Sequence, residues 1–412
     1  MSDTFRLAVT GQSLIKHDTR GIDIPAFQQV QEVLRQADLA FTNFEGTILG
    51  RHGGWPLKGS FFGSSGPVVL DALRSMGFQA LSLSNNHAFD LGPSGVLSTL
   101  EEVEQRGFLH AGLGRNHTEA ARAATGTFGG RRVAIVAMDG GPGPDFMYAT
   151  DGTDSRPERP GVNRLRLTQV IEVDDEAFRR LNDLREKVGY TTMDLTNDSQ
   201  PDDPPHIELE AEMGIARAIF RRSDRFGRGV RVDKKDMARN LAAITSAAQE
   251  GCLVIAYLHH HHWASDWYQV PDWGGSIAKQ CIDAGASMFL SHGAPVLQPV
   301  EIYRGRPIFY SLGNFVFHVR SEGSLWTASE IWQSVIGSCQ FDSRNELVDM
   351  TFVPIVIAAG KASADGRSGD LLVPQRATGK VAEEILHRFS EQSRQVGTNI
   401  TVSDGIGSVK LG

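Results

Sequence analysis

Four consecutive histidines, His259–His262, follow directly on the apolar run Cys252–Leu258. A short run of Val, Ile, Leu and Ala entered through Gly251 reads as a buried strand. Imidazoles at its exit stand at a sheet edge, where α/β proteins keep their chemistry. Alternate side chains of an extended chain share a face, so His259 and His261 point together and His260 and His262 point the other way. One pair can therefore converge on a site while the other packs. Comparable donors follow other apolar runs: Gln12, Asn43 with Glu45, Asn86 with His87, and His292. Taken singly, Asn43 and Asn86 could close turns and Glu45 could be a solvated acid. Together, donors at so many strand ends point to one divalent-cation site. Mixed nitrogen and oxygen ligands suit Mn, Zn or Fe. A cation held there lowers the pKa of bound water toward about 7 and polarises a carbonyl or phosphoryl oxygen. His87 could protonate a leaving group, and Asp90, three residues on, could orient that imidazole. Of the surplus histidines, His260 is a candidate base. Arg51, His52 and Lys58 are candidate substrate contacts.

The elements that must position these groups alternate between strand and helix. Strands are expected at Phe5–Gly11, Asp38–Phe44, Ala80–Ser84, Arg131–Met138, Cys252–Leu258 and Ser287–Leu290, most of them ending in polar residues. Helical spacing of apolar residues marks Ile24–Ala37, Pro67–Met76, Gly95–Arg106, Lys235–Gln249, Ser276–Ala286 and Ala377–Val396. This alternation argues an α/β sandwich. A hairpin at Val300–Tyr303 and Pro307–Tyr310 and two strands at Ser334–Phe341 and Leu347–Ile357 complete the sheets. From Asp139 the pattern breaks into Gly/Pro-rich loops, a helix at Glu176–Val188 and an acidic, Pro-rich, mobile stretch at Asp194–Pro205. Residues 139–233 therefore read as an insertion or lid between the halves 1–138 and 234–360, with 361–412 a tail and closing helix.

The chain has 412 residues, a formal net charge of −8 and 41% hydrophobic residues. That composition suits a globular domain and argues against a nucleic-acid partner, which would require clustered Lys and Arg. Three scattered cysteines offer neither a disulfide framework nor a CxxC clamp. No apolar stretch reaches the length of a membrane span, and no signal peptide is visible, so a cytoplasmic location is expected.

Five motifs carry a family resemblance: Asp38-Leu-Ala-Phe-Thr-Asn-Phe-Glu-Gly-Thr, Ser84-Asn-Asn-His-Ala-Phe-Asp-Leu-Gly, Leu258-His, Ser291-His-Gly-Ala-Pro-Val-Leu-Gln-Pro-Val-Glu-Ile-Tyr and Phe309-Tyr-Ser-Leu-Gly-Asn-Phe-Val-Phe. In these the chain resembles the CapA-type poly-γ-glutamate (capsule) biosynthesis proteins of the calcineurin-like metallophosphatase superfamily, over about 5–138 and 240–358. The resemblance implies a four-layer α-β-β-α sandwich of two stacked mixed sheets with the metal at the strand ends, and it makes Asn314 a further candidate substrate contact. Two positions depart from the family pattern. Gln12 stands where an Asp is usual, and Pro295 where a second His is usual. One metal per chain is thus expected, held by Glu45, Asn86, His259 and His292, with His261 replacing the missing His. The leading expectation is a hydrolase acting on an amide or peptide-like bond, a γ-glutamyl bond being one such case, through metal-activated water, with a peptide-like or small-molecule substrate. Phosphodiester hydrolysis, Cα epimerisation of a peptide and non-catalytic binding of an anionic polymer are the alternatives.

Overall fold

The computed structural model describes residues 4–58, 63–190, 212–215, 218–319, 326–359 and 372–411. Two large sheets dominate it. The first, nine-stranded, runs in the order Thr401–Ser403, Ile406–Lys410, Leu347–Ala359, Gln333–Phe341, Phe5–Val9, Leu39–Asn43, Ala80–Ser82 and Leu109–Ala111, with Leu372–Arg376 also paired to Leu347–Ala359. The second, six-stranded, runs Val300–Tyr303, Arg306–Phe309, Met288–His292, Leu253–His259, Arg131–Asp139 and Ala124–Phe128. The first sheet is parallel from Phe5–Val9 to its edge at Leu109–Ala111 and antiparallel through its other half, whereas the second is parallel at its centre and antiparallel at both margins. Strands buried on both faces need apolar residues at every position, which is why Leu253–His259 reads as an unbroken run.

The burial pattern separates three apolar slabs. Leu7, Phe41, Ile135, Ile255, Tyr257 and Leu290 pack between the two sheets. Ala8, Ala40 and Leu81 face outward from the first sheet onto the helices Pro25–Arg35, Val68–Met76 and Gly92–Gln105. Val136, Val254, Ala256 and Phe289 face outward from the second onto Lys234–Gln249 and Asp272–Asp283. The result is a mixed α/β architecture with apolar packing on both faces of each large sheet. Local sequence explains the helix starts: Pro25 fixes the first turn of one, and the Asp233 carboxylate caps another by accepting from the backbone N–H of Lys235 and Asp236. The helix Gly379–Gln395 sends Ile385, Leu386 and Phe389 into the inter-sheet slab.

The central segment differs from its expected loop character. Between 139 and 233 the chain forms its own four-stranded sheet, in the order Glu212–Ile215, Ala218–Arg222, Leu167–Val173, Gly227–Val232, with the helix Asp175–Lys187 alongside. Charged and glycine residues interrupt the alternation of these strands, which hides them in the sequence. The expected mobile stretch Asp194–Pro205 lies outside the described residues. At the carboxyl end, 401–410 is a hairpin that extends the first sheet instead of a tail.

Candidate metal centre

Three adjacent strands of the second sheet end level with one another. Asp139 pairs with His259, and His259 with His292, all in parallel register. Side chains at matched positions of parallel neighbours share a face, so all three point toward the first sheet. From that sheet the chain leaves Leu39–Asn43 and Ala80–Ser82 to supply Glu45, Asn86 and His87. The carboxyl ends of both sheets therefore meet.

The histidine run splits as its spacing predicts. His259 and His261 turn inward with ring centroids 5.1 Å apart. His260 and His262 turn outward onto Trp273, at 4.7 Å and 6.3 Å, and the His262 imidazole bonds the Gly140 carbonyl at 3.0 Å. The run fits beside Met288–His292 because position 293 is glycine. With φ near 124°, a Cβ there would lie 1.7 Å from the His260 carbonyl oxygen.

Ligand atoms of Glu45, His259 and His261 lie within 4.8 Å of one another, the only such group of acid, His or Cys side chains among the described residues. His259 Nε2 is 3.0 Å from Asn86 Oδ1 and 3.9 Å from Glu45 Oε1. Two donors bound at right angles to one cation at about 2.1 Å stand roughly 3 Å apart, so the first of these distances suits a shared ion. Glu45 Oε2 and His261 Nε2 are buried with no protein partner. A buried polar atom without a partner is costly, and a cation would satisfy both. Burial drives the His259 imidazole, and then the neighbouring imidazoles drive it further, well below its usual range. Burial also holds His261 down to about 3. Both rings are thus neutral at pH 7, as a metal ligand must be. Burial pushes the Glu45 carboxyl up, against the pull of His87 and Lys58. These residues fit a divalent cation.

The other candidates occupy distinct places. His87 Nδ1 is 2.6 Å from Asp90 Oδ2, which also accepts from the Gly63 N–H, and Lys58 Nζ is 2.9 Å from Asp90 Oδ1. Burial raises the Asp90 carboxyl, but these partners outweigh it and hold the group below its ordinary value. His87 and Lys58 line the same cavity as Glu45, Asn86 and His261, a space of about 350 Å³ walled by Leu14, Trp263, Phe317 and Val319. Gln12 also lines it. Its Nε2 donates to Asn314 Oδ1 at 3.1 Å, leaving Oε1 buried and unpartnered.

Several expected roles need correction. His260 packs on Trp273 and cannot act as a base at the site. His292, by contrast, keeps its Nε2 buried with no protein partner beside the close group, while its Nδ1 meets the Tyr257 hydroxyl at 3.2 Å. Arg51 and His52 share Glu101, at 2.6 Å and 3.2 Å, on the helix Gly92–Gln105 and do not line the cavity. Asn314 spends its amide on the Ile331 and Pro295 carbonyls and on Gln12, so it supports the wall and touches no substrate. Asn43 Oδ1 accepts from Asn85 Nδ2 at 3.3 Å.

Asp139 ends level with these groups at the point where the apolar pattern of the sequence breaks. Its Oδ2 accepts from the Tyr148 hydroxyl at 3.0 Å and the Gly141 N–H at 3.1 Å, and its Oδ1 is buried without a partner. Burial pushes this carboxyl up to about 7. The available signal was its position, last in a strong strand, as His259 is in its own.

Residues 7–319 match the family model described as bacterial capsule synthesis protein PGA_cap. The chain belongs to this capsule synthesis family. Relatives include an uncharacterised protein, y4sH, of Sinorhizobium fredii, 27% identical over 99% of this chain and 94% of that protein. The PGA biosynthesis protein CapA of Bacillus subtilis is 23% identical over 71% of this chain and 56% of its own length. Among solved structures, the 5′-nucleotidase precursor of Thermus thermophilus is 13% identical, with a TM-score of 0.35, covering 94% of this chain and 58% of that one. The NAD nucleotidase of Haemophilus influenzae is 11% identical, with a TM-score of 0.38, covering 97% of this chain and 57% of its own. Among the described residues of this PGA_cap family member, no helix is long and apolar enough to cross a membrane.

Proposed function

We propose that this capsule-synthesis family member is a metal-dependent hydrolase of amide or peptide-like bonds, γ-glutamyl bonds among them. The observation that carries the reading is that Glu45, Asn86 and His261 open on the same cavity as the His87–Asp90 pair. Glu45, Asn86, His259 and His261 would hold the cation, which when bound supplies Lewis acidity and an activated water.

The remaining steps fall to the protein's own groups. Asp90 accepts a hydrogen bond from His87 Nδ1, so in the doubly protonated ring the Nε2–H is the group placed to hand its proton to a departing amine. An amine leaves poorly as an anion, so protonation at that atom is what an amide requires and a phosphodiester requires less. Lys58 sets a positive charge beside the pair. Leu14, Phe317 and Val319 restrict water and can receive an aliphatic chain. The resemblance to poly-γ-glutamate biosynthesis proteins supports a peptide-like polymer as substrate. Epimerisation is less well served, because His260 faces away and leaves one fewer base.

Elemental analysis followed by turnover of a γ-glutamyl anilide and of bis(4-nitrophenyl) phosphate tests the reading. About one equivalent of Mn, Zn or Fe, with amide cleavage that disappears in Glu45→Gln, is the expected result. Cleavage of the phosphodiester alone would replace the amide reading. Bound metal with neither reaction would leave a binding protein.

A further inference from the structure

A second cavity of about 370 Å³ lies directly beyond the first. His261 and Trp263 line both, so the two spaces share a wall. The far side of the second is formed by the sheet of the central insertion, through Gln169 and Arg228. These residues lie on adjacent antiparallel strands, where Gln169 pairs with Val230 and Ile171 with Arg228. Residues two apart on a strand, and residues paired across strands, share a face. Gln169 and Arg228 therefore point the same way, into this space. Arg228 makes no ion pair among the described residues, whereas the neighbouring Arg225 is paired with Glu172 and Asp272. The loop wall contributes Trp267 and Asp266, and the Asp266 carboxylate accepts from the Tyr268 N–H.

Resting on the hydrolase reading above, we propose that this second cavity is a substrate subsite. It takes a carboxylate of the substrate at Arg228 and Gln169 while the scissile bond lies in the first cavity. A planar guanidinium presents two parallel N–H donors matched to a carboxylate, and an adjacent amide can add a third. Trp263 lies between the chambers, its ring stacked 5.2 Å from His261. The chain connecting the carboxylate to the scissile bond would pass over that indole. The insertion thus supplies specificity as a wall of the site.

Binding tests this without requiring turnover. Tryptophan fluorescence would be titrated with a short γ-linked glutamyl peptide and with its neutral glutamine counterpart. The proteins are the unaltered chain, Arg228→Gln, Arg228→Lys and the surface control Arg225→Gln. The unaltered protein should favour the acidic peptide at least tenfold, as a charge-assisted pair predicts. Arg228→Gln should lose about tenfold in affinity for the acidic peptide alone, Arg228→Lys should recover part of it, and Arg225→Gln should change neither. Equal weakening of both peptides, an intact acidic preference in Arg228→Gln, or no binding at millimolar peptide would overturn the proposal. Stronger competition by phenyl phosphate than by glutarate would assign the cavity to phosphate and overturn the carboxylate. Hydrolysis with an unchanged KM in Arg228→Gln would retain the enzyme and remove the subsite. Arg228-dependent binding without any hydrolysis would do the reverse.

Discussion

At the scale of residues, the site divides between groups that would hold a cation and groups that would move a proton. Glu45→Gln removes the single carboxylate of the close group, and His259→Ala removes a ring that meets both Glu45 and Asn86. Either change should take bound metal from about one equivalent to near none while circular dichroism stays unchanged. Asp90→Asn leaves the ligands intact but breaks the support of His87. Metal content should hold while kcat falls roughly 10²-fold or more and KM moves little, as expected for loss of a positioned acid. Gly63 belongs to the same machinery, because a Cβ there would lie 2.7 Å from the His87 Cβ. Gly63→Ala should cost about 1–3 kcal/mol by overpacking. It should also lower kcat, which thermal melts and steady-state kinetics would read separately. The division of the four histidines into two pairs was legible from strand alternation alone. The roles first given to Arg51, His52 and Asn314 were not, because a side chain's partners across the fold decide whether it is free to touch a substrate.

Among elements, the insertion is anchored to the main body by buried charge. Asp236, in the first turn of Lys234–Gln249, accepts from Arg164 Nε at 2.8 Å, the Arg166 N–H at 3.0 Å and Arg239 at 2.9 Å. Burial raises this carboxyl, yet the Arg164 charge and the hydrogen bonds outweigh it and hold the group below its ordinary 3.8. A carboxyl depressed in the folded state stabilises above its unfolded value, and that stability is lost as the pH falls through the folded value. Asp236→Asn should therefore lower Tm at pH 7, with the difference narrowing as the pH drops below 3.8. Melting curves at several pH values would show it. The helix itself was clear from its apolar spacing. The strands it anchors were obscure, since Leu167–Val173 and Gly227–Val232 mix charge and glycine with only a few buried residues.

Across the whole molecule, the candidate ligands come from two sheets packed face to face through a largely apolar slab: Glu45 and Asn86 follow strands of one, His259 ends a strand of the other and His261 follows it. An ion bound only by the folded arrangement stabilises it in proportion to its affinity. Adding the preferred metal should raise Tm, and chelation should lower it. Both effects should vanish in His259→Ala, as differential scanning fluorimetry would reveal. The alternation of β and α elements foretold a mixed α/β fold. The hairpin 401–410 escaped notice because its residues are mostly exposed or half-buried and leave a weak apolar signature. The parity of Leu253–His259 also limits how this chain can change over evolution. One residue gained or lost within that strand would present His260 to the cleft and send His259 into the outer slab, while Ile255 and Val254 exchanged slabs as well. The strand can therefore lengthen or shorten only two residues at a time, and descendants of this sequence should preserve its odd count between Leu253 and His259 even where every apolar residue has been replaced.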